Sequence, residues 1–210
     1  MSEYYISIDV ESNGPCPLVH SALQFGAVFY DLDGNPIDEF EANVLEVPGT
    51  VAHPKTMDWW AEQEKRSPGI WNSMMKNRVE PEFAMKTFTE KVQKTVRKLR
   101  AAPVAVAYPA GFDFSYYYCY LHRFTGDSCL GFACYDMKGM GANLLQSTYR
   151  NSAKRNYPRK WFNPKLKHTH GALDDAREQG YTFWQMKLEQ ERQWEILNSA
   201  HEATADVLNR

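Results

Sequence analysis

Three strand-like segments in succession, followed by helices that alternate with short strands, constrain this chain more than any other feature. Tyr4 to Val10 alternates, with Ile6, Ile8 and Val10 on one face and Tyr5, Ser7, Asp9 and Glu11 on the other, as the two-residue period of a strand requires. Asn13-Gly14-Pro15 breaks it. Ala22 to Tyr30, rich in Leu, Phe and Val, reads as a second strand and Ile37 to Val44 as a third, joined at the turn pair Asp33-Gly34; three strands so spaced form a meander. Pro54 to Met75 reads as helical with a break at Pro68-Gly69, and Pro81 to Arg100 as a longer helix that opens on proline, whose fixed φ suits a first turn. Val104 to Ala107 is a short buried strand, Phe112 to Phe124 a helix, Phe132 to Tyr135 another short strand, and Met137 to Tyr149 and Leu173 onward are helical. This order predicts an α/β domain with a mixed β-sheet flanked by helices.

Composition narrows the function classes. The chain has 210 residues, 43% hydrophobic and 14% aromatic, which leaves enough apolar mass for a core and argues against disorder. The formal net charge of -2 excludes a uniformly basic nucleic-acid coat but permits a local basic patch. No apolar run approaches the roughly 18 residues of a membrane span, and the opening Met1-Ser2-Glu3-Tyr4-Tyr5 carries neither the basic nor the apolar region of a signal peptide. Cys16, Cys119, Cys129 and Cys134 contain no C-x-x-C pair, so free thiols in a reducing, cytoplasmic compartment are expected rather than a zinc knuckle.

Three acidic constellations carry the chemistry. Asp9 and Glu11 are two apart on a strand, so both project to one face. Asp113 follows the short strand at Val104 to Ala107 and opens a helix, and Asp175 lies in the first turns of the last helix, with His170 just ahead of it. Each has a plain reading taken alone, as solvated surface, a cap or a partner of the helix dipole. Their combination is more specific, because strand ends and strand-to-helix junctions converge on the ligand crevice of an α/β sheet. Two carboxylates about 4 Å apart repel by roughly 4 kcal/mol at an effective dielectric near 20, so four of them meeting would need cations. All-oxygen ligands favour Mg²⁺ or Mn²⁺. A pair of such ions is the apparatus for in-line displacement at phosphorus, and a histidine beside it offers a general base near neutral pH.

Asp9-x-Glu11, Phe112-Asp113 and His170-x4-Asp175 together resemble the three motifs of the DEDD 3′–5′ exonucleases, and the histidine five residues before the last Asp resembles that of the DEDDh subgroup. The resemblance spans residues 4 to about 186 and implies a ribonuclease H-like fold. It further implies that Asp9, Glu11 and Asp175 ligate one metal, that Asp9 bridges to a second, that Asp113 supports the second, and that His170 deprotonates the attacking water. Asp174 has the wrong spacing and is left out. The block Met57 to Gln63, with Trp59-Trp60, is similar to a segment of small bacterial and phage exoribonucleases. Two departures stand out. Ser12, Asn13 and Gly14 replace a Thr-Gly pattern, with Ser12 and Asn13 still able to contact the 3′ end, and Pro109 stands where many relatives carry Asn.

Between Met137 and Leu173 there is no Asp or Glu, while Lys138, Arg150, Lys154, Arg155, Arg159, Lys160, Lys165 and Lys167 are interleaved with Tyr149, Tyr157, Trp161 and Phe162. Basic side chains that track phosphates and aromatics that stack bases are the means of single-strand binding, with Arg159, Lys160, Lys165 and Lys167 nearest the third motif. His168 falls close enough to the third motif to sit near the site, though a lone extra histidine is more often polar surface, and Tyr116-Tyr117-Tyr118 reads as helix packing. Asp31-Leu32-Asp33-Gly34-Asn35 lacks the glycine and glutamate positions of a calcium loop. Residues 1–186 thus form an exonuclease domain, and 187–210 a helix packed on it or on a second subunit of a homodimer, with Trp194, Leu197, Ala205 and Leu208 on one face. The expected activity is release of nucleoside 5′-monophosphates from single-stranded 3′ ends, of RNA in preference to DNA and without membrane attachment, the alternatives being a DNA exonuclease of the same fold or a non-catalytic nucleic-acid-binding module.

Overall fold

A computed structural model describes residues 2–208 of the chain and the side chains of residues 2–199. Five strands form one sheet in the order β3-β2-β1-β4-β5. They are β1 (Glu3–Ser12), β2 (Ala22–Tyr30), β3 (Pro36–Asn43), β4 (Ala102–Ala107) and β5 (Cys134–Asp136). The meander β1-β2-β3 is antiparallel, and β4 and β5 add parallel to β1. The helices are α1 (Pro54–Arg66), α2 (Ile70–Met75), α3 (Pro81–Leu99), α4 (Ala110–Thr125), α5 (Met137–Leu144) and α6 (Ala172–Leu208), with two 3₁₀ turns at Lys154–Asn156 and Arg159–Trp161.

The alternation of β1 decides which residues reach the site. Ile6, Ile8 and Val10 enter the main core with Phe25, Ala27 and Phe29 of β2, Phe88 of α3 and Tyr116 and Tyr117 of α4. The opposite face meets α6. There Gln179 donates through Nε2 to the Ser7 hydroxyl at 3.1 Å and to the Ile8 carbonyl at 2.9 Å. Asp9 and Glu11 share that face with Ser7 and project beside the first turns of α6. Val28 and Tyr30 of β2 also pack on α6, against Ala176. Every residue of β2 is buried, which explains its nearly continuous apolar run: both of its faces are covered.

Gly26 makes this packing close. A Cβ there would collide with the backbone of Ala172 and Leu173, so only glycine lets the start of α6 lie directly on β2. The tyrosine run is packing, as its sequence suggests: Tyr117 donates to the Gly26 carbonyl at 2.8 Å, and Tyr116 to that of Gly14. Two elements differ from the sequence expectation. The helix expected over Met137 to Tyr149 stops at Leu144, because Gln146 turns to a positive φ of 48° and Ser147 bonds back to Ala142. The strand expected from Phe132 begins at Cys134, where pairing with Ala105 starts. Among the described residues no helix is long and apolar enough to cross a membrane.

α6 runs unbroken through position 187. From position 187 on it still touches its own domain, with Lys187 over the Tyr5 ring and Gln193 bonded to the Leu144 carbonyl. Trp194 and Leu197 are 65% and 57% exposed. The side chains of Ala205 and Leu208 lie outside the described residues.

Candidate active site

The end of β1 delivers Asp9 and Glu11, the first turn of α4 delivers Asp113, and the first turn of α6 delivers Asp175. Carboxylate oxygens of Asp9, Glu11 and Asp175 lie within 4.8 Å of one another. Asp113 joins them through the backbone, its Oδ1 accepting from the Val10 amide at 3.2 Å between the other two acids of β1. Glu11, Asp113 and Asp175 are at most 9% exposed. Burial, then the neighbouring carboxylates, pushes Asp9 and Glu11 well above the usual carboxylate range. Burial likewise pushes Asp113 up to about 8, against the pull of the Val10 amide. Acids clustered this densely resist ionisation unless cations compensate them. The all-oxygen donor set fits a hard divalent ion.

Several side chains that carry no obvious motif hold this arrangement. Gln24 of β2 accepts from the Ala172 amide through Oε1 at 2.7 Å and so caps the amino end of α6. Asp175 accepts the Thr169 amide on Oδ1 at 2.7 Å and meets His168 Nδ1 on Oδ2 at 2.8 Å. His168 is therefore a neighbour of the site, not free polar surface; contact with an acid seven residues ahead comes from the turn into α6. Lys154 pairs with the buried Glu178 at 2.6 Å and is the cation that favours the charged forms of Asp9 and Asp113.

His170 sits at φ 59°, followed by Gly171. Its ring meets the edge of Trp59 with centroids 5.0 Å apart. Burial, reinforced by His168, lowers its pKa below the usual 6.5 against the opposing pull of Asp175, so the imidazole is neutral at pH 7. Trp59 also packs on Trp60, whose Nε1 donates to the Ser12 carbonyl at 2.9 Å. Between these groups lies a cavity of about 220 Å³ lined by Glu11, Ser12, Thr56, Trp59, Trp60 and Phe112. The tryptophan pair thus belongs to the site.

The other expected contacts are dispersed. Ser12 donates to the Gly14 carbonyl at 2.7 Å, and Asn13 accepts from the Ser21 amide at 2.7 Å and donates to Glu46 at 3.0 Å. Both side chains are committed within the protein. Arg159 is exposed and lines a groove of about 560 Å³ with Lys154, Arg155, Phe162, Leu166 and His168. Lys167 lines a separate polar cavity of about 670 Å³ with Gln24, Asn43 and Asp174. Lys160 is paired with Glu189 of α6 at 2.6 Å, and Lys165 is exposed.

A mixed sheet of this order gathers three motif acids at the end of its central strand, ties a fourth to that strand's backbone and sets a histidine beside them, and the fold is similar to that of solved 3′-exonucleases. No family profile matches the chain. It is similar to the 3′–5′ DNA exonuclease Cap18 of Escherichia coli, 28% identical over 189 residues that cover 86% of this chain and 90% of that protein. Solved structures agree on the fold. A full-length 3′-exonuclease superposes with a TM-score of 0.64 at 13% identity, covering 90% of this chain and 82% of that one. The nuclease domain of 3′hExo, a DEDDh family member bound to rAMP, gives 0.58 at 14% identity, covering 90% and 92%. E. coli exonuclease I in complex with a dT13 oligonucleotide gives 0.60 at 15%, covering 94% of this chain and 43% of that one.

Proposed function

We propose that the protein is a divalent-metal-dependent 3′–5′ exonuclease that releases nucleoside 5′-monophosphates from single-stranded ends. The observation that carries this reading is the convergence of Asp9, Glu11 and Asp175 oxygens within 4.8 Å, next to a histidine that burial keeps neutral. Asp9, Glu11 and Asp175 would hold one ion, and Asp9 with Asp113 a second. Mg²⁺ or Mn²⁺ bound there supplies neutralisation of phosphoryl charge and a lowered pKa for the nucleophile. His170 takes the proton of the attacking water on a ring nitrogen. The water oxygen bonds to phosphorus as the bond to the 3′-oxygen of the preceding nucleotide breaks, and that oxygen leaves as the new 3′ end. Trp59 and Phe112, which line the cavity beside Glu11, take the terminal base by stacking. Arg155, Arg159 and Phe162 hold the strand behind it.

For the sugar we favour DNA over the RNA preference that the sequence suggests. Glu11, Ser12 and Asn13 are the first-motif groups that could offer acceptors to a terminal 2′-hydroxyl, and the side chains of two of them, Ser12 and Asn13, bond within the protein. The similar Cap18 is named a DNA exonuclease. RNA is the second reading, supported by the Met57 to Gln63 block and by a solved relative bound to rAMP. Matched DNA and RNA oligonucleotides separate the two: faster loss of RNA, abolished by one terminal deoxynucleotide, establishes the second reading. A homodimer through the exposed Trp194 and Leu197 is consistent with the same function, and light scattering of the full chain tests it.

A further inference from the structure

We propose that His168, His170 and Asp175 form a second metal site, selective for an ion such as Zn²⁺, and that filling it silences the nuclease. One donor atom from each residue lies within 4.8 Å of the others. His168 Nδ1 is 2.8 Å from Asp175 Oδ2, and the two imidazole centroids are 4.6 Å apart. Zinc takes histidine nitrogen and carboxylate oxygen at about 2.0–2.2 Å in a tetrahedron, which places donors about 3.3 Å apart around one ion. His168 and Asp175 are already inside that spacing, and the His170 donor, within 4.8 Å of both, needs only a small shift to reach it.

The loop that presents them is fixed before any ion arrives. The Thr169 amide is bonded to Asp175 Oδ1 at 2.7 Å, and the Thr169 hydroxyl to Asp174 at 3.2 Å. His170 adopts φ 59°, a left-handed conformation that a non-glycine residue rarely takes. That turn lets two rings only two residues apart meet. The His168 side chain is 51% exposed while that of Asp175 is 2% exposed, so the site has an anchored base and an open side for entry and for a water in the fourth position.

The donor chemistry differs from that of the carboxylate set. Imidazole nitrogen suits zinc and other later transition metals, whereas carboxylate and water suit magnesium and manganese. Both sets include Asp175, so they compete for it. An ion bound through His170 also occupies the nitrogen needed to accept the proton of water. The silencing rests on the exonuclease reading; the metal site does not.

Calorimetric titration of Zn²⁺ into the full chain at fixed pH tests it. Wild type is expected to bind Zn²⁺ at least about tenfold more tightly than His168→Ala or His168→Gln, tenfold being the lower end of what even an outer ligand partner contributes. Glu11→Gln, which alters only the carboxylate set, is expected to stay within about threefold of wild type. Unchanged Zn²⁺ affinity in both folded His168 variants, or affinity lost in Glu11→Gln alone, overturns the site. In a second arm Zn²⁺ is titrated against Mg²⁺-supported hydrolysis, each variant referred to its own uninhibited rate. Inhibition is expected to need at least about tenfold more Zn²⁺ in His168→Ala, and equal inhibition overturns the silencing. Absence of any nuclease activity refutes the exonuclease reading and leaves the calorimetry to decide the site.

Discussion

Neutralising Asp113 should stabilise the metal-free protein. The carboxyl is 2% exposed, and burial raises its pKa from 3.8 to about 8. The folded state therefore holds a proton that the unfolded chain releases, and stability falls as pH rises from about 4 through about 8. Holding that proton at pH 7 costs the fold about 4 kcal/mol at 1.36 kcal/mol for each pH unit. Asp113→Asn removes this cost, and its amide oxygen can still accept from Val10. Because desolvation is the larger cause and the asparagine amide stays buried in its place, only about half of this, ~2 kcal/mol, is the expected gain from one substitution. For a chain of this length that is about 4–8 °C in Tm. Thermal unfolding in EDTA between pH 5 and 8 should show wild type losing stability with pH and the variant losing less. Added Mg²⁺ should then raise wild type more than the variant. A lower Tm for Asp113→Asn across that range, or identical slopes, refutes the account of the acids as a strained cluster.

Other consequences are open to direct measurement. His170→Ala should lose about 10²- to 10⁴-fold in kcat, the range for a general base. Because burial lowers the His170 pKa, the acid limb of wild-type kcat/KM should lie below the pH 6.5 of an ordinary imidazole, and a variant at His170 that keeps this limb removes His170 as its source. Gly26→Ala forces a methyl into the backbone at Ala172 and Leu173 and should cost about 1–3 kcal/mol, with loss of activity as Asp175 shifts; an unchanged Tm contradicts the close packing of α6 on β2. Trp59→Ala should weaken substrate binding by about 1–3 kcal/mol, the worth of stacking one base, seen as a raised KM. An unchanged KM places the terminal base elsewhere.

The sheet and its acids were legible in sequence because both depend on local periodicity. Alternation over Tyr4 to Val10 separates Ile6 and Ile8 from Ser7 and Asp9 without reference to the rest of the chain, although α6 buries Ser7 and Glu11 on the polar face as well. Chain order likewise placed Asp113 and Asp175 at the heads of helices. What escaped depends on contacts between distant segments. Gln24 caps a helix 148 residues away, and nothing near Gln24 marks it. Lys154 was one of many basic residues until Glu178 of α6 drew it toward the acids. His168 gains its meaning from a left-handed turn at His170, a conformation no propensity assigns to histidine. The hydroxyl of Ser12 and the amide of Asn13 suggested substrate contacts, yet the loop that contains them bonds them to Gly14, Ser21 and Glu46. Such bonding competes with any ligand, and only the folded loop reveals it.

The central claim is that these acids support stepwise hydrolysis from a 3′ end. Single-stranded DNA and RNA of matched sequence, labelled at the 5′ end, should be incubated with the full chain in Mg²⁺ or Mn²⁺ and resolved at single-nucleotide steps. The account predicts a ladder that shortens from the 3′ end, nucleoside 5′-monophosphates as products, no cleavage in EDTA, and loss of at least about 10³-fold in kcat, ~4 kcal/mol of barrier, in Asp9→Ala and Asp175→Ala. Internal cuts, 3′-monophosphate products, or turnover of either variant within about tenfold of wild type would contradict it.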